Sequence, residues 1–130
     1  MMAAIRTKRL KDPRNPQDGT RIFVARYRPR FLRKGAEPWD EWIKELAPSR
    51  ELHATWYGKG GRKPISFEEF ARRYEQEMQA QKETINKLAR RALAGEAITL
   101  LCYCADEARC HRTLLKEMVE EAARILRQRT

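Results

Sequence analysis

The run AITLLCYC, Ala97 to Cys104, is almost continuously apolar, and a few residues later the chain takes up a different rhythm. From Cys110 onward Leu114, Leu115, Met118, Val119, Ala122, Ile125 and Leu126 recur at i, i+3, i+4 and i+7. An unbroken apolar run of this length predicts a strand covered on both faces, as in a parallel or mixed sheet sandwiched by helices, because alternation is needed only where one face meets water. The second rhythm puts a single apolar stripe on a helix, so it predicts an amphipathic closing helix.

Upstream the pattern is shorter and more mixed. AIRTKRL, Ala4 to Leu10, alternates weakly and predicts a short or edge strand; KDPRNPQDGT, with two prolines and a glycine, predicts a loop. RIFVARY, Arg21 to Tyr27, is rich in strand formers and stops before Pro29, which predicts a second strand. EPWDEWIKELAP, Glu37 to Pro48, predicts a helix ended by its proline, and Ser49 then caps a short helix through Trp56 and Tyr57. After the basic turn YGKGGRKP, Ser66 and Glu69 form an S-x-x-E box that opens a long helical region. Phe67, Phe70 and Tyr74 lie there at helical spacing, a break is expected between Gln79 and Glu83, and Gly95 is the stop. These elements describe an α/β fold: one small domain over residues 1–130, with a short, mostly parallel or mixed sheet flanked by helices and a closing strand-to-helix unit.

Composition narrows the class. Hydrophobic residues make up 42% and charged residues 35%, which suits a soluble folded chain. No apolar run approaches a membrane span, and MMAAIRTKRL has no apolar secretion core, so the expected setting is the cytoplasm with thiols reduced and no membrane partner. Three cysteines also leave at least one unpaired in any internal disulfide scheme. The net charge of +10 is unevenly placed: residues 1–35 hold eleven Lys or Arg against two Asp, and the rest of the chain is close to neutral. A basic segment of this kind attracts phosphates, so nucleic acid and small phosphorylated or nucleotide-like anions are both candidate partners.

The candidate chemistry gathers in LLCYCADEARCHR, Leu100 to Arg112. Cys102, Cys104, Cys110 and His111 are zinc-type donors, yet a C-x-C pair departs from the usual two-to-four-residue knuckle, so no metal or other cofactor is assigned. A cysteine nucleophile at a strand-to-helix turn is chemically sensible, because helix amides and Arg109, His111 or Arg112 lower a thiol pKa. The phosphatase-like spacing, an arginine six residues after the cysteine, is not met from Cys102 or Cys104. Cys104, at the end of the strand, is the candidate nucleophile and His111 its catalytic companion; Cys102 and Cys110 suit buried packing positions. The alternative is an anion site: Arg109 and Arg112 stand at the positive end of the closing helix, and Arg26 and Arg30 would converge on the same edge if the second strand runs parallel to the last. Asp106 and Glu107 are the internal partners that would make a ligand unnecessary. Tyr27, Trp56 and Tyr57 beside GKGGRKP would serve stacking on nucleic acid, and His53 reads as an ordinary surface residue.

The segments DGTRIFVARYRPR, WIKELAPSREL, FARRYEQEM and ITLLCYCADEARCHRTLLKEMV resemble, in order, those of the YeaO-like proteins, domain-of-unknown-function family 488. The resemblance covers nearly the whole chain, and Trp42-x-Lys44-x-Leu46-Ala47-Pro48-Ser49 is its most specific run. It implies a compact α/β fold and no established activity, and it adds Lys44 and Ser49 to the candidate ligand contacts. Where many members read Val-Asp-Arg-Leu-Trp-Pro-Arg, this chain reads Val24-Ala25-Arg26-Tyr27-Arg28-Pro29-Arg30, so a carboxylate and a tryptophan are missing after the second strand. The resemblance does not by itself imply thiol chemistry. The best reading is a small-anion site at the last junction, with nucleic-acid binding and thiol or metal chemistry as alternatives. Ligand identity, oligomeric state and enzymatic activity are left open.

Overall fold

Four strands, β1 (Ile5–Arg9), β2 (Thr20–Phe23), β3 (Glu41–Trp42) and β4 (Ile98–Cys102), form one parallel sheet in the order β1-β4-β2-β3. The computed structural model describes residues 5–104 and 106–129; Ala4, where the first strand is expected to begin, and Ala105, inside the junction, lie outside the described residues. β4 has neighbours on both sides and is buried at every position, as its continuous apolar run requires. The register pairs Ile22 with Leu100 and Phe23 with Leu101, so alternate residues face opposite ways.

Helices cover one of those faces. The face of Ile22, Ile98 and Leu100 packs against α1 (Arg50–Trp56), α2 (Phe67–Met78), α3 (Lys82–Leu93) and α4 (His111–Gln128), through residues such as Leu52, Phe70, Leu88 and Leu115. The other face carries Phe23 and Leu101, and its cover is Trp39 and Trp42 from the segments after β2. A sheet sandwiched by helices is therefore corrected to one helical face and one aromatic lid. The physical reason is the small apolar area there: Trp39 stacks on Phe23 at 4.4 Å, and the neighbouring positions Arg21 and Thr99 are polar.

The helix expected from Glu37 to Pro48 is the second correction. Asp40 N–H donates to the Arg21 carbonyl at 2.8 Å and Ile43 N–H to the Phe23 carbonyl at 3.0 Å, so Glu41–Trp42 joins the sheet edge. Partners already fixed on β2 outcompete local helical bonds, and only a single 3-10 turn, Lys44–Leu46, survives. The second strand stops at Phe23, short of the expected Tyr27, while the signals of the middle helices held. Ser49 and Ser66 accept from the amides of Leu52 and Glu69, each at 3.1 Å, a 3-10 turn over Gln79–Gln81 separates α2 from α3, and Gly95 ends α3 with φ 99°. Gly19 is required for another reason: at φ 63° a Cβ would meet the Ala97 carbonyl oxygen at 2.2 Å, where the chain enters β2.

Beside β1 and β2 lies a buried ion pair. Asp18, 2% exposed, bonds Lys8 at 2.9 Å and Arg21, 1% exposed, at 3.4 Å, while Arg21 also donates to the Asp12 carbonyl at 3.0 Å. Because all four strands are parallel, their carboxyl ends share the opposite edge of the sheet, and the junction from β4 to α4 sits there.

Candidate functional site at the carboxyl edge

Cys102 ends β4, and the chain runs through Tyr103 and Cys104 into a 3-10 turn at Glu107–Arg109. Asp106 caps that turn by accepting from the Ala108 amide at 3.0 Å, so it serves the turn and not α4. Cys110 is the N-cap of α4 and supplies no side-chain cap. This short excursion folds the three thiols onto one another. Cys102 Sγ and Cys104 Sγ are 3.6 Å apart, and Cys110 Sγ lies within 4.8 Å of Cys102 Sγ. Cys102 and Cys110 are buried, and Cys104 is partly exposed.

His111 and Arg112 close the cluster from beneath. The His111 Nε2 lies 2.7 Å from the Val24 carbonyl oxygen, which can only accept, so Nε2 carries the proton and Nδ1 is left as an acceptor 4.0 Å from Cys110 Sγ. Burial holds His111 below the usual histidine pKa, so the ring is neutral. Arg112, 2% exposed, donates to the Cys104 carbonyl at 2.8 Å and approaches Cys110 Sγ at 3.6 Å. Its Nε has no partner, and among the described residues it forms no ion pair with a carboxylate.

Above the thiols is a small, partly open cavity of about 20 Å³. This is room for roughly one water-sized group. Its wall includes Cys104, Tyr57, His53, Arg26 and Arg109. Arg26 is held there by its Nε, which donates to the Pro48 carbonyl at 2.6 Å.

Hydrogen bonds from Cys102 and then Cys110 hold the Cys104 thiol well below its ordinary pKa, with the charge of Arg112 acting the same way. Cys102 is raised by its hydrogen bond to Cys104, then by Cys110 and burial. For Cys110 the Cys102 contact acts downward, but hydrogen bonding to Cys104 and burial outweigh it and the net direction is up. Three thiols this close lose protons as a unit, and the first negative charge rests on Cys104. Tyr57 is pushed up by burial and by the Cys104 charge, so its hydroxyl stays protonated.

The sequence-predicted residues divide accordingly. Cys104, His111, Arg26 and Arg109 line the cavity, whereas Arg112 lies under it and is turned inward. Arg30 is exposed and does not line it, although β2 does run parallel to β4. Lys44 sits over the Trp42 ring at 4.5 Å, and Ser49 is clamped by Glu77, accepting from its amide at 2.8 Å and from its hydroxyl. The sequence assigns His53 to the surface and Tyr57 to nucleic-acid stacking, and neither reading places them at this cavity. His53 is half-buried between the Tyr27 and Tyr57 rings, at 5.1 and 4.8 Å. The available signal was spacing: His53 lies three and four residues before Trp56 and Tyr57, on one face of α1.

Cys102 Sγ, Cys110 Sγ and a His111 ring nitrogen lie within 4.8 Å of one another, a donor set that could hold a soft metal ion. Cys104 stands outside that mutual group, so these side chains do not present the closed four-donor set of a structural zinc. The N-terminal basic segment is less free than its charge suggests: Lys8, Arg9, Arg14, Arg21 and Arg28 are all in ion pairs. A larger groove of about 590 Å³ between α2, α3 and α4 is lined by no cysteine or histidine among the described residues. No described helix is long and apolar enough to cross a membrane.

The family described as the active DUF488-N3 subclade matches residues 5–123. An uncharacterized protein of Mycobacterium tuberculosis (strain ATCC 25618 / H37Rv) is 32% identical over 117 residues, 88% of this chain and 92% of its own length. The uncharacterized protein YeaO of Escherichia coli (strain K12) is 32% identical over 113 residues, 87% of this chain and 94% of its own. No solved structure matches. With nearly the whole domain matched, from β1 into α4, the chain belongs to the YeaO-like DUF488 family.

Proposed function

We propose that the junction is a thiol site in which Cys104 is the nucleophile, acting on a compact electrophile that fits the small cavity. The observation that carries this reading is the buried, carboxylate-free Arg112. A guanidinium keeps its proton under all ordinary conditions, and burying it without a counter-charge costs several kcal/mol. The acidic groups within its reach are thiols: it touches Cys110 Sγ and holds the carbonyl of Cys104. A thiolate at Cys104, with the Cys102 thiol at 3.6 Å, supplies the missing negative charge, and the amide-rich start of α4 favours it further.

The cavity limits what reacts there. About 20 Å³ admits a small reacting group, and the bulk of a nucleotide would stay outside. Arg26 and Arg109 on the wall favour a substrate that is anionic or becomes so, which retains the small-anion reading as a property of the substrate. Nucleic-acid binding draws less support, because much of the basic segment is engaged in ion pairs.

Substoichiometric iodoacetamide followed by trypsin tests the proposal. Cleavage after Arg91, Arg109 and Arg112 leaves Cys102 and Cys104 in the peptide 92–109 and Cys110 in 110–112, and fragmentation separates the first two. Cys104 is expected to be alkylated first, at pH values below the ordinary thiol pKa of about 8.5. Labelling that appears only after denaturation overturns the reading.

A further inference from the structure

We infer that the substrate class of this site is a hydroperoxide, reduced by Cys104 with Cys102 as the resolving thiol. This rests on the thiol reading above and names what the thiol attacks. The first ground is size: the cavity of about 20 Å³ accepts the O–OH end of a hydroperoxide, whereas the disulfide of a peptide or protein brings flanking chain that it excludes. The second is the division between neighbouring thiols. All three thiols border the cavity, but only Cys104 is partly exposed, and the buried Cys102 sulfur lies 3.6 Å from it. A disulfide needs about 2.05 Å, so closure asks the two sulfurs to approach by only about 1.5 Å. An accessible nucleophile backed by a second thiol is the arrangement that turns a first oxidation into a reversible disulfide.

The third ground is the set of donors around the reacting atoms. Tyr57 and Arg109 line the same cavity as Cys104. They are placed to meet the negative oxygen that leaves. In the first step the Cys104 thiolate attacks the terminal oxygen of ROOH. The S–O bond forms, the O–O bond breaks, and RO⁻ takes a proton from solvent through Tyr57 to leave as ROH. Cys104 is now a sulfenic acid. In the second step the sulfur of Cys102 attacks the Cys104 sulfur; the S–S bond forms, the S–O bond breaks, and hydroxide leaves as water with the proton of Cys102. Two thiols and one hydroperoxide have become one disulfide, one alcohol and one water. The sulfurs have lost the two electrons that the O–O bond gained.

The test uses the reduced full-length chain and hydrogen peroxide. One equivalent is expected to be consumed about a hundredfold faster than by free cysteine at the same pH, the scale on which aligned donors act. Thiols counted in denaturant should fall from three to one, and the tryptic peptide 92–109 should become lighter by two hydrogens without joining another peptide. Cys102→Ser should lose the disulfide and leave a sulfenic acid on Cys104 that dimedone traps; Cys104→Ser should lose the fast peroxide consumption. Parity with free cysteine overturns the inference, and so does a cross-link between peptides 92–109 and 110–112. If iodoacetamide still selects Cys104 while peroxide leaves all three thiols, the hydroperoxide assignment fails and the thiol reading stands. If Cys104 reacts with neither reagent, both fail.

Discussion

Arg21 and Arg112 are both almost fully buried, at 1% and 2% exposure, and each has an unpartnered Nε, yet their surroundings differ in one respect. Arg21 lies against the Asp18 carboxylate, which Lys8 also holds, so its counter-charge is permanent at neutral pH. Arg112 lies against a carbonyl and a thiol, so its counter-charge exists only when the cysteine cluster ionises. The same residue type at the same depth therefore does two things. One site beside the sheet holds a fixed ion pair that supports the fold, and the other holds a cation that selects for a reactive thiolate.

The largest test of this contrast is Asp18→Asn. It leaves Arg21 buried without a carboxylate and should cost about 3–5 kcal/mol in urea unfolding, with Cys104 alkylation unchanged. A loss under about 1 kcal/mol would erase the distinction from the Asp18 side. Arg112→Met should cost less, about 1–3 kcal/mol, because the thiols can reprotonate once the cation is gone. Its signature is chemical: Cys104 alkylation at neutral pH should slow about tenfold for each unit by which the thiol pKa rises above the assay pH. A stability loss with unaltered alkylation would make Arg112 a structural residue like Arg21.

The pH dependence separates the two sites again. Burial pushes the Asp18 carboxyl up, but the Lys8 hydrogen bond and the surrounding charges outweigh it, and Asp40 is lowered chiefly by the Arg21 amide; both net directions are down. For a carboxyl whose folded pKa lies below its unfolded value, the stabilisation is complete above the unfolded value of 3.8 and is lost as pH falls through the folded value. Urea midpoints should therefore decline on acidification below about pH 5, less steeply in Asp18→Asn and just as steeply in Arg112→Met. The smallest effect is expected from Tyr57→Phe, which keeps the ring and removes one donor. Stability should stay within about 0.5 kcal/mol and Cys104 alkylation should change by only a few-fold. A change as large as that in Arg112→Met would transfer control of the thiolate to Tyr57.

Local signals were most legible where the chain's own backbone bonds decide the outcome. Ser49 and Ser66 each cap a helix, the break after α2 falls where expected, and the stripe from Leu114 to Leu126 forms one face of α4. They failed at Glu37 to Pro48, where β2 offered the backbone better partners than a helix could. The aromatic lid was illegible for the same reason: Trp39 and Trp42 read as helical in spacing and are placed by Phe23, some sixteen and nineteen residues earlier in the chain.

By itself the sequence determined the class of fold, the buried central strand and the place where chemistry gathers, because hydrophobic period and cap residues act over a few positions. Spacing alone could not say that Cys102, Cys104 and Cys110 meet, since their approach depends on a 3-10 turn between strand and helix. Nor could it distinguish Arg112, which turns inward, from Arg26 and Arg109, which reach the cavity. These matters, with the places of His53 and Tyr57, follow from how the folded chain brings distant segments together. Depth, dielectric and counter-charge are properties of the assembled interior, and each is set by residues far apart in the chain.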